Sequence, residues 1–446
     1  MEKPDPLFSE NQGWIYLRLE GAAFERGFQH GKHLGRLIPD SIDRVRLWAA
    51  NTLGRNWDYF REVAQKLYEP KVSAECQEEL KGILAGAREV GVSLDYLDLV
   101  ALNGYEDSIN YHYFLRKQER HESQVVRVGG CSAFVATGSV TSDGGVVMGH
   151  STWWPYLLGH NWNILLHIKP TRGNEILMQS IPGFIFSGTD WYMNSGGLLV
   201  SETTITGVYT FRPEGTPTFV RAREAMQYTE DIDSWSHEML KDNNGGLANS
   251  WLIGDTTRNE IALLELGTFN HELQRTRDGW FVGCNLAFDD KVKSETEFDY
   301  SESSSSPTAR HRRWVQLSRP TKKVGIDTAK SYLADHYDAS LNHEGPSRCS
   351  LCGHVDLDQR GCPEFEWGAF YPGGSFDAKI TTSSLAKHGK MWARWGKPCG
   401  GSFDSKSFLK EHPEYSWQKP LLRDLKSNEW VMFDAGFGPS RTATRS

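Results

Sequence analysis

A cysteine and a histidine lie on two neighbouring runs that predict a β-hairpin. Cys131 begins an alternating run over residues 131–137 that is typical of a strand. The dipeptide Asp143-Gly is typical of a hairpin turn, and His150 follows it in a second apolar run. A loop over residues 138–143 sets Cys131 opposite His150. A thiol beside an imidazole is a nucleophile–base pair, so this hairpin predicts nucleophilic catalysis.

The two glycines before Cys131 indicate a second kind of chemistry. Gly129 and Gly130 have no Cβ, so a reagent can approach the Gly130–Cys131 peptide bond closely. The thiol can attack the Gly130 carbonyl, take the chain onto sulfur as a thioester, and let water release it. The new chain then begins at Cys131, whose α-amine has a pKa of about 7.7–8.0 and can act as the base for its own thiol. The alternative is a small buried apolar residue at a strand start.

The composition of the whole chain excludes several classes of protein. The 446 residues are 39% hydrophobic and 24% charged, which is typical of a globular protein with one large domain or two ordinary ones. The net charge of -8 argues against a nucleic-acid partner. No apolar run is long enough to cross a bilayer, and no signal peptide or Asn-x-Ser/Thr acceptor is present. We therefore expect a cytoplasmic protein, or a lysosomal or secreted one if a leader was removed.

The seven cysteines are not the even, closely spaced set of a secreted disulfide scaffold. Cys349, Cys352 and Cys362 lie near His354 in a pattern similar to a zinc site, but the spacing to Cys362 is irregular and no second Cys-x-x-Cys follows. A local disulfide or unpaired loop cysteines is the favoured interpretation. The chain has no P-loop, dinucleotide fingerprint or His-Glu-x-x-His motif, so we expect neither a cofactor nor a metal.

Hydrophobic periodicity predicts a helical first part followed by a sheet. Strands are predicted at 14–19, 162–168, 175–181, 197–204, 249–253, 261–266 and 280–284, and helices at 24–53, 57–67, 73–87, 94–103, 218–228, 233–240 and 308–317. The polar run 119–124 predicts an exposed linker, and the Gly- and Trp-rich residues from 351 on predict long loops around a core. This order favours an α+β layered fold with an antiparallel sheet core. A mainly helical segment 1–130 and a catalytic segment 131–446 would form one compact domain.

Several separated motifs resemble the phospholipase B-like family. In chain order they are Cys131-Ser-Ala, Gly149-His-Ser-Thr-Trp153, Ile181–Asp190, Ser201-Glu-Thr-Thr204, Asn249-Ser-Trp251 and Phe376-Asp-Ala-Lys-Ile380. The runs Glu25–Gly31, Glu79–Gly82 and Ala101–Asn103 are similar to the propeptide of penicillin acyltransferase-type enzymes (peptidase C45). Both groups are N-terminal-nucleophile hydrolases. The resemblance implies a four-layer αββα fold, autocatalytic cleavage before the cysteine, and hydrolysis of amide or ester bonds.

The same resemblance implies catalytic roles for five residues. Cys131 would be the nucleophile, and His150 matches a position where phospholipase B-like members have histidine. Thr203 lies on the strand at the edge of the pocket. Asn249 matches the residue that donates to the oxyanion, where one donor is worth about 2.7–4 kcal/mol, and Arg310 matches an arginine near the nucleophile. The non-catalytic alternatives are a core histidine at His150, a strand-forming threonine at Thr203, a turn asparagine at Asn249 and a solvated arginine at Arg310.

The identity of the substrate stays open. An acyl pocket would be lined by four aromatic residues, each of which is equally suited to a core: Trp153, Trp154, Trp191 and Tyr192. Three functions fit: a self-processing amidohydrolase or acyltransferase with an acyl-thioester on Cys131, a phospholipase B-like lipid deacylase, or a non-catalytic binding protein. The expected partners are a small acyl-amide, acyl-ester or lipid substrate and the chain's own cleaved N-terminal fragment.

Overall fold

The structure is a computed structural model that describes residues 7–120, 130–189, 191–319 and 322–438. Gly129, Asp190 and most of the linker predicted at 119–124 lie outside the described residues. The α-helices are α1 (Ala23–Leu34), α2 (Ile38–Thr52), α3 (Trp57–Val63), α4 (Ala74–Glu89), α5 (Tyr96–Asn103), α6 (Tyr105–Arg120), α7 (Tyr156–Gly159), α8 (Thr218–Tyr228), α9 (Ile232–Leu240), α10 (Asp290–Lys293), α11 (Ser306–Leu317), α12 (Ile326–Leu333), α13 (Ser383–Ala386) and α14 (Ser405–Glu411).

The strands form two large sheets and a short two-stranded ribbon. They are β1 (Phe8–Asn11), β2 (Trp14–Gly21), β3 (Gly130–Thr137), β4 (Val147–Pro155), β5 (Ile164–Pro170), β6 (Ile176–Ser180), β7 (Trp191–Asn194), β8 (Leu198–Thr204), β9 (Asn249–Asp255), β10 (Glu260–Leu266), β11 (His271–Thr276), β12 (Gly279–Gly283), β13 (Tyr337–Asp338), β14 (His343–Glu344), β15 (Gly373–Ser375), β16 (Asp377–Thr382), β17 (Lys390–Trp395) and β18 (Val431–Asp434).

The larger sheet has the strand order β1-β2-β5-β6-β7-β8-β9-β10-β11, and the smaller sheet has the order β12-β3-β4-β16-β17-β18 with β15 on β4. Neighbouring strands are antiparallel except β2 and β5, which pair in parallel. The strand β2 therefore joins the N-terminal segment to the sheet formed by the rest of the chain.

The two sheets pack face to face and helices cover their outer faces. β3 contacts β8, β9 and β10, and α8 and α9 pack on the larger sheet while α11 and α12 pack on the smaller one. At Gly254 of β9 a Cβ would lie 2.8 Å from the side chain of Val146, so the sheets approach each other closely there. The predicted layered α+β fold with αββα order is confirmed.

The N-terminal helices α1 and α4 cross with their backbones in contact. A Cβ on Gly27 would lie 1.9 Å from the carbonyl oxygen of Glu79, and one on Gly82 would lie 2.2 Å from that of Phe24. These positions have no room for any side chain, so the crossing requires glycine. α1 also packs on β2 and β5, which fixes the helical segment against the larger sheet.

Buried polar contacts join this segment to the rest of the chain. Glu79 of α4 receives hydrogen bonds from Arg26 at 2.7 Å and from Arg223 of α8 at 3.1 Å. His30 Nε2 accepts a hydrogen bond from the backbone N–H of Gly183 at 2.9 Å. All of these side chains are buried, and breaking a buried ion pair by removing one partner costs about 3–5 kcal/mol. These contacts thus hold the helical segment against the larger sheet and α8.

The C-terminal region differs from its prediction as long loops. Four strands, β15 to β18, lie beyond residue 351 and complete the smaller sheet, with β16 paired to β4 at its centre. These strands have three to six residues each, which is too short for alternation to be distinguished from a loop. Among the described residues no helix is both long and apolar enough to cross a membrane.

Candidate active site

The Cys131–His150 hairpin forms, but with a different register. β3 pairs with β4 so that Cys131 lies opposite Thr152 and His150 lies opposite Ala133. The predicted register, with Cys131 opposite His150, is wrong by two residues because the connection contains a turn of 3₁₀ helix at Gly138–Val140. A shift of two residues preserves the face of the strand. Cys131 and His150 therefore still project from the same side of the smaller sheet.

That side faces the larger sheet. His150 Nε2 lies 3.0 Å from the carbonyl oxygen of Glu202 on β8. Lys379 of β16 pairs with His150 in the ladder, so its side chain belongs to the same face. The candidate nucleophile, imidazole and ammonium group are thus enclosed between the two sheets, and Cys131 is only 6% exposed.

Asn285 and Arg310 hold the backbone of Cys131 on both sides. The Cys131 N–H donates to Asn285 Oδ1 at 3.1 Å, and the Cys131 carbonyl oxygen accepts from Arg310 Nη1 at 2.5 Å. Arg310 Nη2 also donates to Asn285 Oδ1 at 2.8 Å, so Cys131, Asn285 and Arg310 are joined in a ring of hydrogen bonds. The guanidinium is buried and lies 4.2 Å above the ring of Trp153, a cation–π geometry. Arg310 is therefore a buried clamp on Cys131 and not a solvated residue of a helix surface.

Asn285 is a residue that the sequence analysis missed. It follows β12 with a left-handed backbone, φ +69°, in a buried position. Asparagine tolerates the left-handed region of backbone conformation better than most residues. A non-glycine residue that its surroundings keep in this conformation often marks a functional site. Its Nδ2 donates to the carbonyl oxygen of Thr204 at 2.8 Å, and its backbone N–H donates to Thr203 Oγ1 at 3.4 Å. The predicted site residue Thr203 therefore supports Asn285 in the structure.

His150 has the form of a neutral base. Burial, followed by the positive charge of Lys379, holds its pKa well below the ordinary value. The neutral ring must donate from Nε2 to the carbonyl of Glu202, which leaves the lone pair on Nδ1. In the described part of the chain Nδ1 has no hydrogen-bond partner. An imidazole with an unpaired basic nitrogen has the state that general-base catalysis requires.

The thiol of Cys131 needs such a base. Burial, and after it the negative charge of Glu202, raises the pKa of Cys131 well above the ordinary value, while the backbone N–H of Trp153 acts in the opposite direction. The thiol is therefore protonated at neutral pH, and only the thiolate is strongly nucleophilic. Across the described ranges, no hydrogen bond joins the Cys131 sulfur to His150, so a proton transfer between them requires a small movement or a different base.

A buried ion-pair network lies beside Cys131. Lys379 Nζ contacts Thr152 Oγ1 at 2.8 Å, Gln179 Oε1 at 2.6 Å, and both carboxylate oxygens of Asp377 at 2.9 Å. Asp377 also accepts from the backbone N–H of Thr152, the residue opposite Cys131, at 2.8 Å. The sequence analysis quoted this Asp-x-Lys pair as part of a motif but gave it no role. The alternation of two charges in a strand was the only signal that could have shown it.

Asn249 forms no described hydrogen bond to Cys131. It begins β9 opposite Thr204. In the orientation that satisfies its hydrogen bonds, its amide nitrogen donates to Glu202 Oε2 at 3.0 Å and to the carbonyl oxygen of Ala248 at 2.8 Å. Of the four predicted catalytic residues besides Cys131, Arg310 alone forms a described hydrogen bond to Cys131. The catalytic roles of all five residues stay predictions.

The aromatic residues predicted to line an acyl pocket are all buried. Trp154 stacks on Trp162 with ring centroids 5.5 Å apart. Trp191 Nε1 donates to Met391 Sδ at 3.3 Å, between the sheets, and the Tyr192 hydroxyl accepts from the Ser187 N–H at 3.1 Å. In this conformation they pack as core, and their role in a pocket stays a prediction.

A loop and a helix cover Gly130. A Cβ at Gly130 would lie 2.8 Å from the ring of Phe365, so that ring rests directly on the peptide before Cys131. The neighbouring Glu366 accepts a hydrogen bond from the hydroxyl of Tyr113 on α6 at 2.9 Å. Phe365 and the Tyr113–Glu366 contact thus cover the peptide before Cys131 in the described part of the chain.

The comparisons with known proteins agree with the motif resemblance. A family model described as Phospholipase B matches residues 55–268, which confirms the resemblance to phospholipase B-like proteins. The chain is 23% identical over 306 residues to phospholipase B-like 1 of Bos taurus, covering 61% of this chain and 53% of that protein. It is 23% identical over 329 residues to a phospholipase B of Crotalus adamanteus, covering 64% and 56%.

One further relative and one solved structure also match this chain. An uncharacterized protein of Archaeoglobus fulgidus is 27% identical over 256 residues, covering 54% of this chain and 41% of that protein. The chain therefore spans about half of the length of these curated relatives. Among solved structures, a mutant conjugated bile acid hydrolase from Clostridium perfringens matches 59% of this chain and 89% of its own with a TM-score of 0.37 and 10% identity. The similarity of the N-terminal runs to an acyltransferase propeptide stays a prediction.

Proposed function

From the match to phospholipase B, we propose that this chain is a cysteine hydrolase that makes its own N-terminal nucleophile at Cys131. In the first step the thiol adds to the Gly130 carbonyl and the peptide C–N bond breaks. The thiol proton passes to the released nitrogen, and a thioester joins Gly130 to the Cys131 sulfur. Water then hydrolyses the thioester, which yields a Gly130 carboxylate and a free Cys131 with an α-amine.

The observation that carries this proposal is the hydrogen bond from the Cys131 backbone nitrogen to Asn285 Oδ1, at 3.1 Å. The amide nitrogen donates its one proton to this acceptor, and an α-amine or α-ammonium formed at the same position could keep it. Arg310 holds the Cys131 carbonyl from the other side. Both anchors come from residues after the cleavage point, so they would keep Cys131 in place once the bond before it is cut.

In turnover the α-amine and the thiol of Cys131 act together. The α-amine takes the thiol proton, and the thiolate attacks the acyl carbonyl of the substrate. The amide or ester bond breaks, the ammonium returns its proton to the leaving group, and the acyl group stays on sulfur as a thioester. Water completes the hydrolysis. We assign His150 as the auxiliary base and Asn249 as the oxyanion donor, which requires the Asn249 amide to leave Glu202 during the reaction.

A phospholipase B-like lipid deacylase is the second candidate. The matched family and two of the relatives carry the name phospholipase B, which favours an acyl ester of a lipid over an amide. Both candidates use the same nucleophile, so they differ only in the leaving group. Parallel assays of fatty-acid release from a phospholipid and of cleavage of an acyl-amide distinguish them, since one substrate should be turned over much faster than the other.

The N-terminal segment 1–130 would remain bound after cleavage. Its strand β2 lies inside the larger sheet, and Glu79 is held by Arg26 of its own segment and by Arg223 of the other. Apolar helix faces of this segment pack in the common core. We therefore expect two bands on a denaturing gel that elute together as one native species.

N-terminal sequencing of the larger fragment tests the proposal. The expected first residue is Cys131. The variant Cys131→Ala should give one full-length band and no activity, and Cys131→Ser should process slowly or not at all. Cys76→Ala, a change at a buried cysteine of α4, is the matched control and should process normally. A fragment that begins elsewhere, or an intact chain with full activity, would contradict self-cleavage.

A further inference from the structure

Four metal-ligand side chains converge at a place distinct from the Cys131 site. They are His336, Cys352, His354 and Cys399, whose ligand atoms all lie within 4.8 Å of one another. The two histidine Nε2 atoms are 3.1 Å apart. His354 Nε2 lies 3.4 Å from Cys352 Sγ and 3.6 Å from Cys399 Sγ.

These distances match the edges of a tetrahedron around one metal ion. Zinc binds histidine nitrogen at about 2.0–2.1 Å and cysteine sulfur at about 2.3 Å, so neighbouring ligand atoms of a tetrahedral site are about 3.3–3.8 Å apart. The three measured separations fall within or about 0.2 Å outside this range. Two cysteines and two histidines are also a ligand set typical of structural zinc.

We propose that His336, Cys352, His354 and Cys399 bind one zinc ion in a closed, structural site. Four protein ligands complete the tetrahedron, so no position remains for a substrate or a reactive water. The site lies outside the hydrolytic function proposed above and does not depend on it.

The ligands come from three separate parts of the chain. His336 lies between α12 and β13, Cys352 and His354 lie in the loop before β15, and Cys399 follows β17. The backbone N–H of Cys352 donates to the carbonyl of Asp335 at 3.0 Å, which sets the first two parts side by side. The N–H of Gly401 donates to Cys399 Sγ at 3.3 Å, a contact that stabilises a metal-bound thiolate. A metal bound here would cross-link three irregular segments of the chain.

Lys397 and Asp356 lie behind His354. Lys397 Nζ is 3.3 Å from His354 Nδ1, and Asp356 Oδ1 is 4.0 Å from the same nitrogen, which is too far for a hydrogen bond. Lys397 binds Asp356 at 2.6 Å, and Asp356 also accepts from the hydroxyl of Tyr156 at 3.1 Å. In this structure Nδ1 therefore faces an ammonium donor, and metal on Nε2 would require Lys397 to shift so that the Nδ1 proton can reach Asp356.

Zinc binds cysteine as the thiolate, so binding at this site would displace the thiol protons of Cys352 and Cys399.

The structure separates the ligands from the cysteines that the sequence pattern emphasised. Cys349 Sγ donates to the carbonyl of Ser304 at 3.7 Å, and Cys362 Sγ donates to Glu364 Oε2 at 3.3 Å. Neither belongs to the cluster. All seven cysteines are unpaired, so of the two alternatives that the sequence favoured the local disulfide is absent and the unpaired cysteines are observed.

The loop that carries Cys352 and His354 supports the strand of the candidate active site. Gly353, between these two ligands, packs so tightly on Trp153 that a Cβ there would lie 2.3 Å from the indole. Gly353 and Ser375 exchange hydrogen bonds at 2.9 Å, and Ser375 pairs with Trp153 in the sheet. Zinc would thus fix Trp153, the ring on which Arg310 stacks.

Elemental analysis of the full chain, purified without chelators, tests the inference. We expect one zinc per chain in the wild type. Cys352→Ser and Cys399→Ser should each lose most of it, whereas the matched control Cys349→Ser, from the same Cys-x-x-Cys pair, should keep it. Equal loss of zinc from Cys349→Ser and Cys399→Ser would overturn the ligand assignment.

A second measurement on the wild type avoids variants that fail to fold. Chelation should release the zinc and lower the melting temperature, and added Co²⁺ should give the visible bands of tetrahedral cobalt together with thiolate-to-metal charge transfer. Bound metal should also protect Cys352 and Cys399 from alkylation. A purified chain without stoichiometric zinc that also yields no cobalt spectrum after reduction, or a Cys352–Cys399 disulfide found by mass spectrometry, would overturn the proposal.

Discussion

The contact between Asn285 and the Cys131 nitrogen can be removed with little effect on the backbone. Asn285 has φ +69°, a conformation that glycine adopts freely and alanine does not. Asn285→Gly therefore deletes the side chain without adding backbone strain. It removes the acceptor of the Cys131 N–H, at 3.1 Å, and of Arg310 Nη2, at 2.8 Å.

The expected loss follows from the charge that this acceptor meets during turnover. In the proposed mechanism the α-amine of Cys131 takes the thiol proton and becomes an ammonium, and a hydrogen bond to a charged group contributes about 1.5–3 kcal/mol. Losing that contribution in the transition state slows the chemical step about 10- to 150-fold. The effect should fall on kcat and on the rate of self-cleavage, with KM little changed, because Asn285 touches the nucleophile.

A gel time course of processing and steady-state turnover of an acyl substrate measure these rates. Thermal melts in the same buffer show that the variant is folded. Asn259→Gly is the matched control, because Asn259 also has a positive φ, +48°, but lies in an exposed turn. Folded Asn285→Gly protein that processes and turns over at the wild-type rate would refute the role of Asn285 as the acceptor of the α-amine.

Two further predictions concern stability and are read from urea unfolding. Lys379→Met leaves the buried Asp377 without its cation and should lower the free energy of unfolding by about 3–5 kcal/mol. Lys390→Met breaks the surface pair with Asp434 and should change the free energy of unfolding by about 0–1 kcal/mol. Equal losses in the two variants would contradict the burial argument. Burial lowers the pKa of His30 from 6.5 to about 4, so the unfolded chain takes up a proton that the folded chain refuses. The contribution of His30 to stability should be full above about pH 6.5 and fall as the pH drops toward 4; His30→Gln should flatten this dependence and exposed His343→Gln should not.

Local patterns in the sequence predicted most of the secondary structure before residue 320. The helix predicted at 218–228 has those bounds, and the strand predicted at 197–204 begins one residue later, at Leu198. Both are long enough for periodicity to identify them. The strands beyond 351 are short, and β16 depends on pairing with β4, far earlier in the chain, which no local pattern can show.

The candidate site was predictable only where a residue carried a local signal. Cys131 had one in the preceding glycines, and Arg310 was found through resemblance. Asn285 and Cys399 had none, and Lys379 had only the alternation of charges with Asp377, because each acquires its role from a contact with a residue distant in the chain. The register of His150 was also missed, since the added 3₁₀ turn lengthens a connection that the Asp-Gly dipeptide indicated to be short.

The parallel pairing of β2 with β5 has a consequence for the molecularity of folding. An uncut chain closes this pair within one molecule, although the whole helical segment and the β3–β4 hairpin separate Ile15 of β2 from its partner Ile164 of β5. After a cut at Gly130–Cys131 the same sheet is shared by two polypeptides, so refolding becomes a second-order reaction whose yield falls with dilution. Unfolding stays first-order. If the chain cleaves itself as proposed, the cut protein would persist through a slow unfolding rate and not through reversible equilibrium, and folding would have to precede the cut.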